Sequence, residues 1–356
     1  MTKSIICGAL ALPLCLFSQP ALAHSDGPDT IARPDGHAPA GVMADHVHKA
    51  GDVMIGVAWM HESYDGPNHT GTRKASDAEL VAAGYSVRAK AMKMDMVMGH
   101  VMWAPTDRIT LMAMPMWMRM EMTMLGIGAM DAGMGHMEGG MDGGHHHMLM
   151  PGETMSHTVS GISDTKLGAL VSLSGKPELS AHVGLMVSAP TGSVSKKNAD
   201  GTFVHYGMQP GSGTWDFEPS LTVKGQGEVF GWGMQASYVT RLEKRNESGY
   251  QLGNRFAATG WASARVARRL SLSARLAYSD EGDIDGHYNG AHNHASPPDR
   301  QANYGGQRFE AGLGANVTLG QGLRIGAEAV IPLWQDVNGY QLTKDTGVNL
   351  SVSHAF

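Results

Sequence analysis

Methionines at alternate positions form two rows: Met92, Met94, Met96, Met98 and Met102 with His100 in line, then Met112, Met114, Met116, Met118, Met120, Met122 and Met124. Thioethers are soft, neutral ligands that select Cu(I) and, by the same chemistry, Ag, while imidazoles accept Cu(II), Ni or Zn. A second concentration of such groups lies in the glycine-rich stretch after Leu125, GIGAMDAGMGHMEGGMDGGHHHMLMPGETM. Its candidate ligands include Met130, Met134, His136, Met137, Met141, His145, His146, His147, Met148 and Met150, and histidine-rich tracts of this kind suit metal capture. A third group is Met43, His46 and His48, and a weaker one is His287, His292 and His294. The chemistry these residues could perform is capture and exchange of a soft ion. The same rows have blander uses: packing, lipid contact, a deformable path for apolar aromatic molecules, or a surface that absorbs oxidant through reversible sulfoxide formation.

Enzymatic chemistry finds little support. No H-E-x-x-H helix or G-x-S-x-G element is present, and no spacing gives a closed tetrahedral zinc motif. We therefore expect no enzyme and no cofactor beyond a bound or transported copper or silver ion.

Period two is the period of a strand, whose successive side chains point to opposite faces. Only APTDR (Ala104 to Arg108) separates the two methionine rows, which predicts a hairpin with one sulfur-lined face. Elsewhere apolar residues also alternate with small or polar ones: Val53, Ile55, Val57, Trp59; Leu167 to Leu173; Leu179 to Val187; Leu270 to Tyr278; Phe309 to Val317; Leu323 to Leu333. Short alternating segments separated by turns are the pattern of a transmembrane β-barrel. Short turns are expected near 104–108, 174–178, 225–229, 267–269 and 320–322, and long polar loops at 64–86, 125–160, 191–214, 243–255, 281–306 and 334–345. They join about twelve strands. The predicted fold is all-β: a transmembrane antiparallel up-and-down barrel with short periplasmic turns and long extracellular loops over residues 52–356.

The ends of the chain agree with this. MTKSIICGALALPLCLFSQPALA places Lys3 ahead of an apolar stretch and closes on a small-x-small site, so residues 1–23 read as a signal peptide cleaved near Ala23. Both cysteines, Cys7 and Cys15, lie in it, so copper could be held only by thioethers, imidazoles and carboxylates. Residues 24–51 then form a periplasmic extension or a plug. GVNLSVSHAF ends on Phe356, which resembles the last-strand signal read by the outer-membrane assembly machinery. No stretch after the leader approaches the roughly 20 apolar residues of a membrane helix. The formal charge of −6 makes no case for nucleic acid. The expected location is the Gram-negative outer membrane, with lipid and lipopolysaccharide as surroundings and a small ion or small molecule as substrate.

Orientation of the methionine hairpin follows from its other face, Lys93, Asp95, Val97, Gly99, Val101, Trp103 and Ile109, Leu111, Ala113, Pro115, Trp117, Arg119, Glu121. With that face outward the two tryptophans sit at the two membrane interfaces, and the four charges lie beyond the loop-side one. The thioethers then line the lumen with Met54 and Met60, and His182 and Met186 point inward from a later strand. The remaining inner wall is charged: Asp216, Glu218, Lys224, Arg241, Arg265, Arg275, Glu310, Arg324 and Glu328. On this basis the sulfur row is expected to surround an aqueous interior.

Several segments resemble a bacterial outer-membrane barrel family named after the MetA pathway of phenol degradation: APAGVMADHVHKAGDVMIGVAWM (ending at Met60), WAPTDRITLMAMPMWMRMEM (103–122), SGISDTKLGALVSL (160–173), APTGSV (189–194), YGMQPGSGTWDFEPSLT (206–222), GYQLGNRFAATGW (249–261) and IPLWQDVNGYQL (331–342). The resemblance implies a barrel that takes up or exports small molecules. The ligand-rich GMGHMEGGMDGGHHHM insert points instead to an outer-membrane channel or binding protein for soft metal ions, copper above all, in homeostasis or efflux. Passage of small aromatic compounds and a structural or oxidant-absorbing role are the alternatives.

Overall fold

A computed structural model describes residues 33–128, 149–176, 178–319 and 322–356. The expected signal peptide and the loop ligands Met130, Met134, His136, Met137, Met141, His145, His146, His147 and Met148 lie outside the described residues.

Alternating sequence becomes a closed barrel of twelve antiparallel staves. They are β1 (Val53–Asp65), β2 (Val87–Thr106), β3 (Ile109–Met114, resuming as Met116–Gly126), β4 (Thr154–Ile162, resuming as Thr165–Lys176), β5 (Leu179–Ala189), β6 (Asp216–Gln226), β7 (Phe230–Arg241), β8 (Arg255–Ala267), β9 (Leu270–Glu281), β10 (Gly306–Thr318), β11 (Leu323–Gln341) and β12 (Lys344–Ala355). β1 closes the tube by pairing with β2 on one side and β12 on the other, from Met54↔Ala355 onward. The terminal residue finishes the seam, where the Phe356 amide donates to Val53 O at 2.8 Å. Pro115 breaks β3 because it has no amide to give. Its carbonyl still accepts from Gly99 N at 3.0 Å, so β2 runs unbroken behind it.

The described strands end and resume on either side of all five expected short turns. Two long loops differ from expectation. The predicted loop at 125–160 is too long, because β3 continues to Gly126 and β4 already starts at Thr154, paired from Leu125↔Thr154 to Trp117↔Ile162. The predicted loop at 334–345 is largely strand. β11 runs on to Gln341 because its upper part gains a partner from the first long loop, Val337↔Gly71 and Gln341↔His69.

The outer surface carries the apolar half of each alternation: Ile55, Val57, Leu111, Leu167, Leu185, Leu221, Leu272, Leu313, Ile331 and Leu350 are all exposed. Covering such a surface is worth about 25 cal/mol per Å², and a bilayer is the medium that covers it. Rungs of aromatic residues bound the band. Toward the long loops, Trp59 and Trp117 sit on the rung of Val97, with Tyr278 opposite Phe309 and Phe309 opposite Trp334 further round. Trp103 and Phe356 lie at the short-turn end. Beyond the Val97 rung, Asp95 stands opposite Arg119 and Lys93 opposite Glu121, so opposite charges share each rung outside the apolar band; Asp95 meets His61 Nδ1 at 2.8 Å and Arg119 meets Glu121 at 3.4 Å. No described helix is long and apolar enough to cross a membrane.

Candidate functional site

Residues 33–52 thread the lumen at the short-turn end. Gly51 and Asp52 pair with the backbone of Ala104 on β2, but along the rest of the segment backbone groups are met one by one by side chains of the wall. Ser271 Oγ donates to Pro34 O at 2.8 Å, Lys224 Nζ to Gly36 O at 3.3 Å, Asn316 Nδ2 to Ala38 O at 3.1 Å, and Gln235 Nε2 to Met43 O at 3.1 Å. His182 Nε2 meets Ala44 O at 2.9 Å, and His48 N donates to Thr110 Oγ1 at 2.9 Å. At its turn the Gly41 amide donates to Glu328 Oε2 at 3.0 Å. The same carboxylate accepts Arg275 Nε at 2.6 Å and Asn349 Nδ2 at 3.0 Å. A Cβ on Gly41 would lie 2.4 Å from Glu328 Oε2 and 2.5 Å from Asn349 Nδ2, so glycine lets the plug reach this carboxylate without displacing either side chain.

Three plug residues and two wall residues put imidazoles together. His37, Asp45, His46 and His48 are buried, as are His100 on β2 and His182 on β5. The His37 and His46 rings meet edge to face at 5.0 Å, and His46 and His48 at 4.7 Å. His46 Nδ1 lies 2.6 Å from Asp45 Oδ1, whose second oxygen accepts from Ala38 N at 2.9 Å. Burial holds the His37 and His46 imidazoles below their ordinary range and pushes His48 down to about 3, so all three are neutral at pH 7. Burial opposes the charge on Asp45, yet His46 and the nearby Lys224 ammonium outweigh it and hold the carboxyl well below the usual range. His46 Nε2, both ring nitrogens of His48 and His100 Nδ1 are buried without a hydrogen-bond partner among the described residues. Each such orphan costs about 1–3 kcal/mol. The His100 ring lies over Gly56, where a Cβ would meet Nε2 at 2.3 Å.

The methionine rows face inward, with Trp103 and Trp117 outward, as the girdle argument requires. Met92, Met94, Met96 and Met116 are half-buried, and the rest are buried from water. Met98, Met102, Met112 and Met114 pack with Met54, Ala58, Leu170 and Met186 into one cluster, against which Met43, Met60, Met116, Ala44 and Val47 rest. Met118, Met120, Met122 and Met124 form a second with Ala89, Val159, Val204 and Met208, flanked by Met92, Met94, Met96, Leu149 and Leu342. Met102 and Met120 are each 1 % exposed. The expected aqueous sulfur wall is thus a dry one, because the plug fills its lower half and a loop fills the upper. Met150 is exposed.

That loop joins β5 to β6 (residues 190–215) and dips into the mouth, burying Val204 and Met208 against the upper sulfur cluster. Its two ends cross at Gly192 and Gly211, where a Cβ on Gly211 would lie 2.5 Å from Gly192 O. Asp164, in the break of β4, accepts from Gly192 N at 2.9 Å, Ser212 N at 2.7 Å and Ser212 Oγ at 2.8 Å. This explains the glycines and serines of APTGSV and PGSGTWD as structural. Above, Tyr288 is sandwiched between Phe203 at 4.3 Å and Tyr206 at 4.2 Å. His205 Nδ1 contacts Asp299 Oδ1 at 2.7 Å, and His205 lies 5.4 Å from His157.

Of the candidate metal ligands, then, His46, His48, Met43, His100, Met102 and Met112 converge on the plug, whereas Met92, Met94, Met96 and Met118 to Met124 belong to the mouth. Sequence reasoning passed over His37, Asp45, His157 and His205, since neither the separation of His37 from His46 nor that of His157 from His205 forms a motif.

The sequence pattern of the family described as "Putative MetA-pathway of phenol degradation" matches residues 122–350. The chain belongs to this family. Among solved structures, an outer membrane channel from Pseudomonas putida F1 is 14% identical, with 88% of this chain and 99% of that one covered and a TM-score of 0.58. This similarity shows a shared fold for the phenol-degradation family member described here. A FadL homologue from Pseudomonas aeruginosa is 12% identical over 92% of this chain and 93% of its own, with a TM-score of 0.41. No curated protein matches significantly.

Proposed function

We propose that the protein is an outer-membrane channel for small apolar, aromatic molecules, held closed in this state by the plug below and the inturned loop above. The observation that carries the reading is the inner wall of β2 and β3. Its thioethers run from the mouth at Met124 to the plug at Met112 and Met102, with only Pro115 breaking the β3 strand. A dry thioether strip offers a hard hydrated ion nothing in place of its water, whereas polarisable sulfur at ring edges suits an aromatic guest. The family's description in terms of phenol degradation and the fold shared with an outer membrane channel support the same reading. Oxidant scavenging fits less well, because these sulfurs are buried from bulk oxidant. Passage of copper or silver along the row is a second reading, favoured by the imidazoles at its lower end.

Uptake of a labelled neutral aromatic compound by cells carrying the protein separates the two. Leucine at Met112, Met114, Met116, Met118, Met120, Met122 and Met124 preserves apolar volume and removes sulfur. Aromatic uptake above that of cells lacking the protein, kept within about 3-fold in the leucine variant, is the expected result. Loss of uptake in that variant, with copper tolerance altered in parallel, would overturn the proposal in favour of the metal path.

A further inference from the structure

The plug holds groups that neither anchoring nor aromatic passage uses. His37, Asp45 and His46 each bring a ligand-capable atom to within 4.8 Å of the others. All three are buried, at the two ends of a turn closed by Val42 N donating to Pro39 O at 2.9 Å. His37 Nδ1 lies 3.9 Å from Asp45 Oδ2. Because the ionised Asp45 accepts at His46 Nδ1, the proton resides there and the Nε2 lone pair is left free, the arrangement by which a carboxylate orients an imidazole toward a metal. His46 also lines, with His100, Met54, Met102, Met112 and Met43, a cavity of about 20 Å³. That admits one water-sized guest and no organic ring. Among the described residues, His46 Nε2 and His100 Nδ1, both on residues that line this cavity, stand without hydrogen bonds, a cost that a bound ion would relieve.

We propose that this cluster binds a single Cu(I) ion. His37 and the free nitrogen of His46 would serve as imidazole ligands, Asp45 would orient His46, and thioethers from the cavity wall would complete the set. The choice of ion follows from its neighbours. Imidazoles beside thioethers select a soft ion, and the Arg324 side chain, which lines the same cavity, disfavours a divalent one. Since ligand atoms around one metal sit closer together than 4.8 Å, at metal distances of about 2.0–2.3 Å, loading draws the plug turn tighter. The inference does not depend on what the channel carries.

The test is Cu(I) competition against a chromophoric chelator under ascorbate, on the chain from His24 to Phe356, which has no cysteine, refolded in detergent with His145, His146 and His147 changed to alanine so that the outer loop contributes less. One equivalent should remain in that protein. Adding H37Q and H46Q should weaken it by at least about 100-fold, and D45N alone by about 10- to 100-fold. Heat-dependent gel mobility reports that the barrel is intact, and D45N decides the matter should the double variant fail to fold. Unchanged Cu(I) affinity in both variants, or no Cu(I) bound when the loop histidines are absent, overturns the proposal and leaves an ordered water as the cavity's occupant.

Discussion

The two ends of the tube are closed by different chemistry. Below, a segment whose regular structure among the described residues is one 3-10 turn, Pro34–Gly36, is held by separate side-chain hydrogen bonds from β3, β5, β6, β7, β9 and β10 and by the carboxylate of Glu328 on β11. Above, the β5–β6 loop is closed by stacked rings, Phe203 on Tyr288 on Tyr206, and tied down through Asp164. Each lower bond is worth about 0.5–1.5 kcal/mol and can be released alone. The upper stack buries whole rings and opens as a unit. Both closures nonetheless rest on the same methionine wall, the plug on its lower cluster and the loop on its upper one. The flexible thioether lets one wall fit two unlike partners.

The largest effect should come from Glu328, where the plug's strongest anchor coincides with an ion pair whose carboxylate is fully buried. Glu328→Ala strands the Arg275 guanidinium and removes the acceptor of the Gly41 amide, at about 3–5 kcal/mol. A lower unfolding midpoint in detergent and new protease cleavage near Gly41 are expected, with the upper loop unaffected. A loss below about 1 kcal/mol would mean that the plug is held by its dispersed hydrogen bonds alone.

Next comes the wall itself. Met120→Ala should cost about 2–5 kcal/mol and Met120→Leu less than about 1.5, read from denaturant unfolding in detergent. If leucine costs as much as alanine, sulfur contributes to the upper closure beyond its volume, and the contrast between a packed mouth and a ligand-bearing plug weakens.

Much of this was legible in the sequence because a barrel stave is specified by period two, and a one-residue slip would turn its apolar row inward. Trp103 and Trp117 decided which face of the methionine hairpin met the membrane, and the register of Asp95 with Arg119 agrees. What was not legible depended on partners distant in the chain. The upper part of β11 looked like a loop because its partner, His69–Gly71, lies far away in sequence. The dryness of the sulfur wall depends on residues 203–208 and 38–47, aperiodic segments whose destination no alternation encodes. His37 and His46 meet only because the chain reverses at Gly41, beneath Glu328.

The smallest effect is a pH response confined to the upper closure. Burial opposes the charge on Asp299, but hydrogen bonds from His205 and from the Ser296 hydroxyl and amide outweigh it, so its carboxyl titrates below the ordinary value. A depressed folded value means that the ionised form stabilises the native loop. This contribution is complete above the ordinary aspartate range, near pH 4, and is lost as pH falls through the folded value. Pepsin cleavage in 282–305 should therefore rise as the pH is taken from about 5 toward 3, and Asp299→Asn should be readily cleaved at both. If the asparagine variant keeps the wild-type pH dependence, the acid response belongs to another group, and the upper loop is held by its aromatic stack without help from charge.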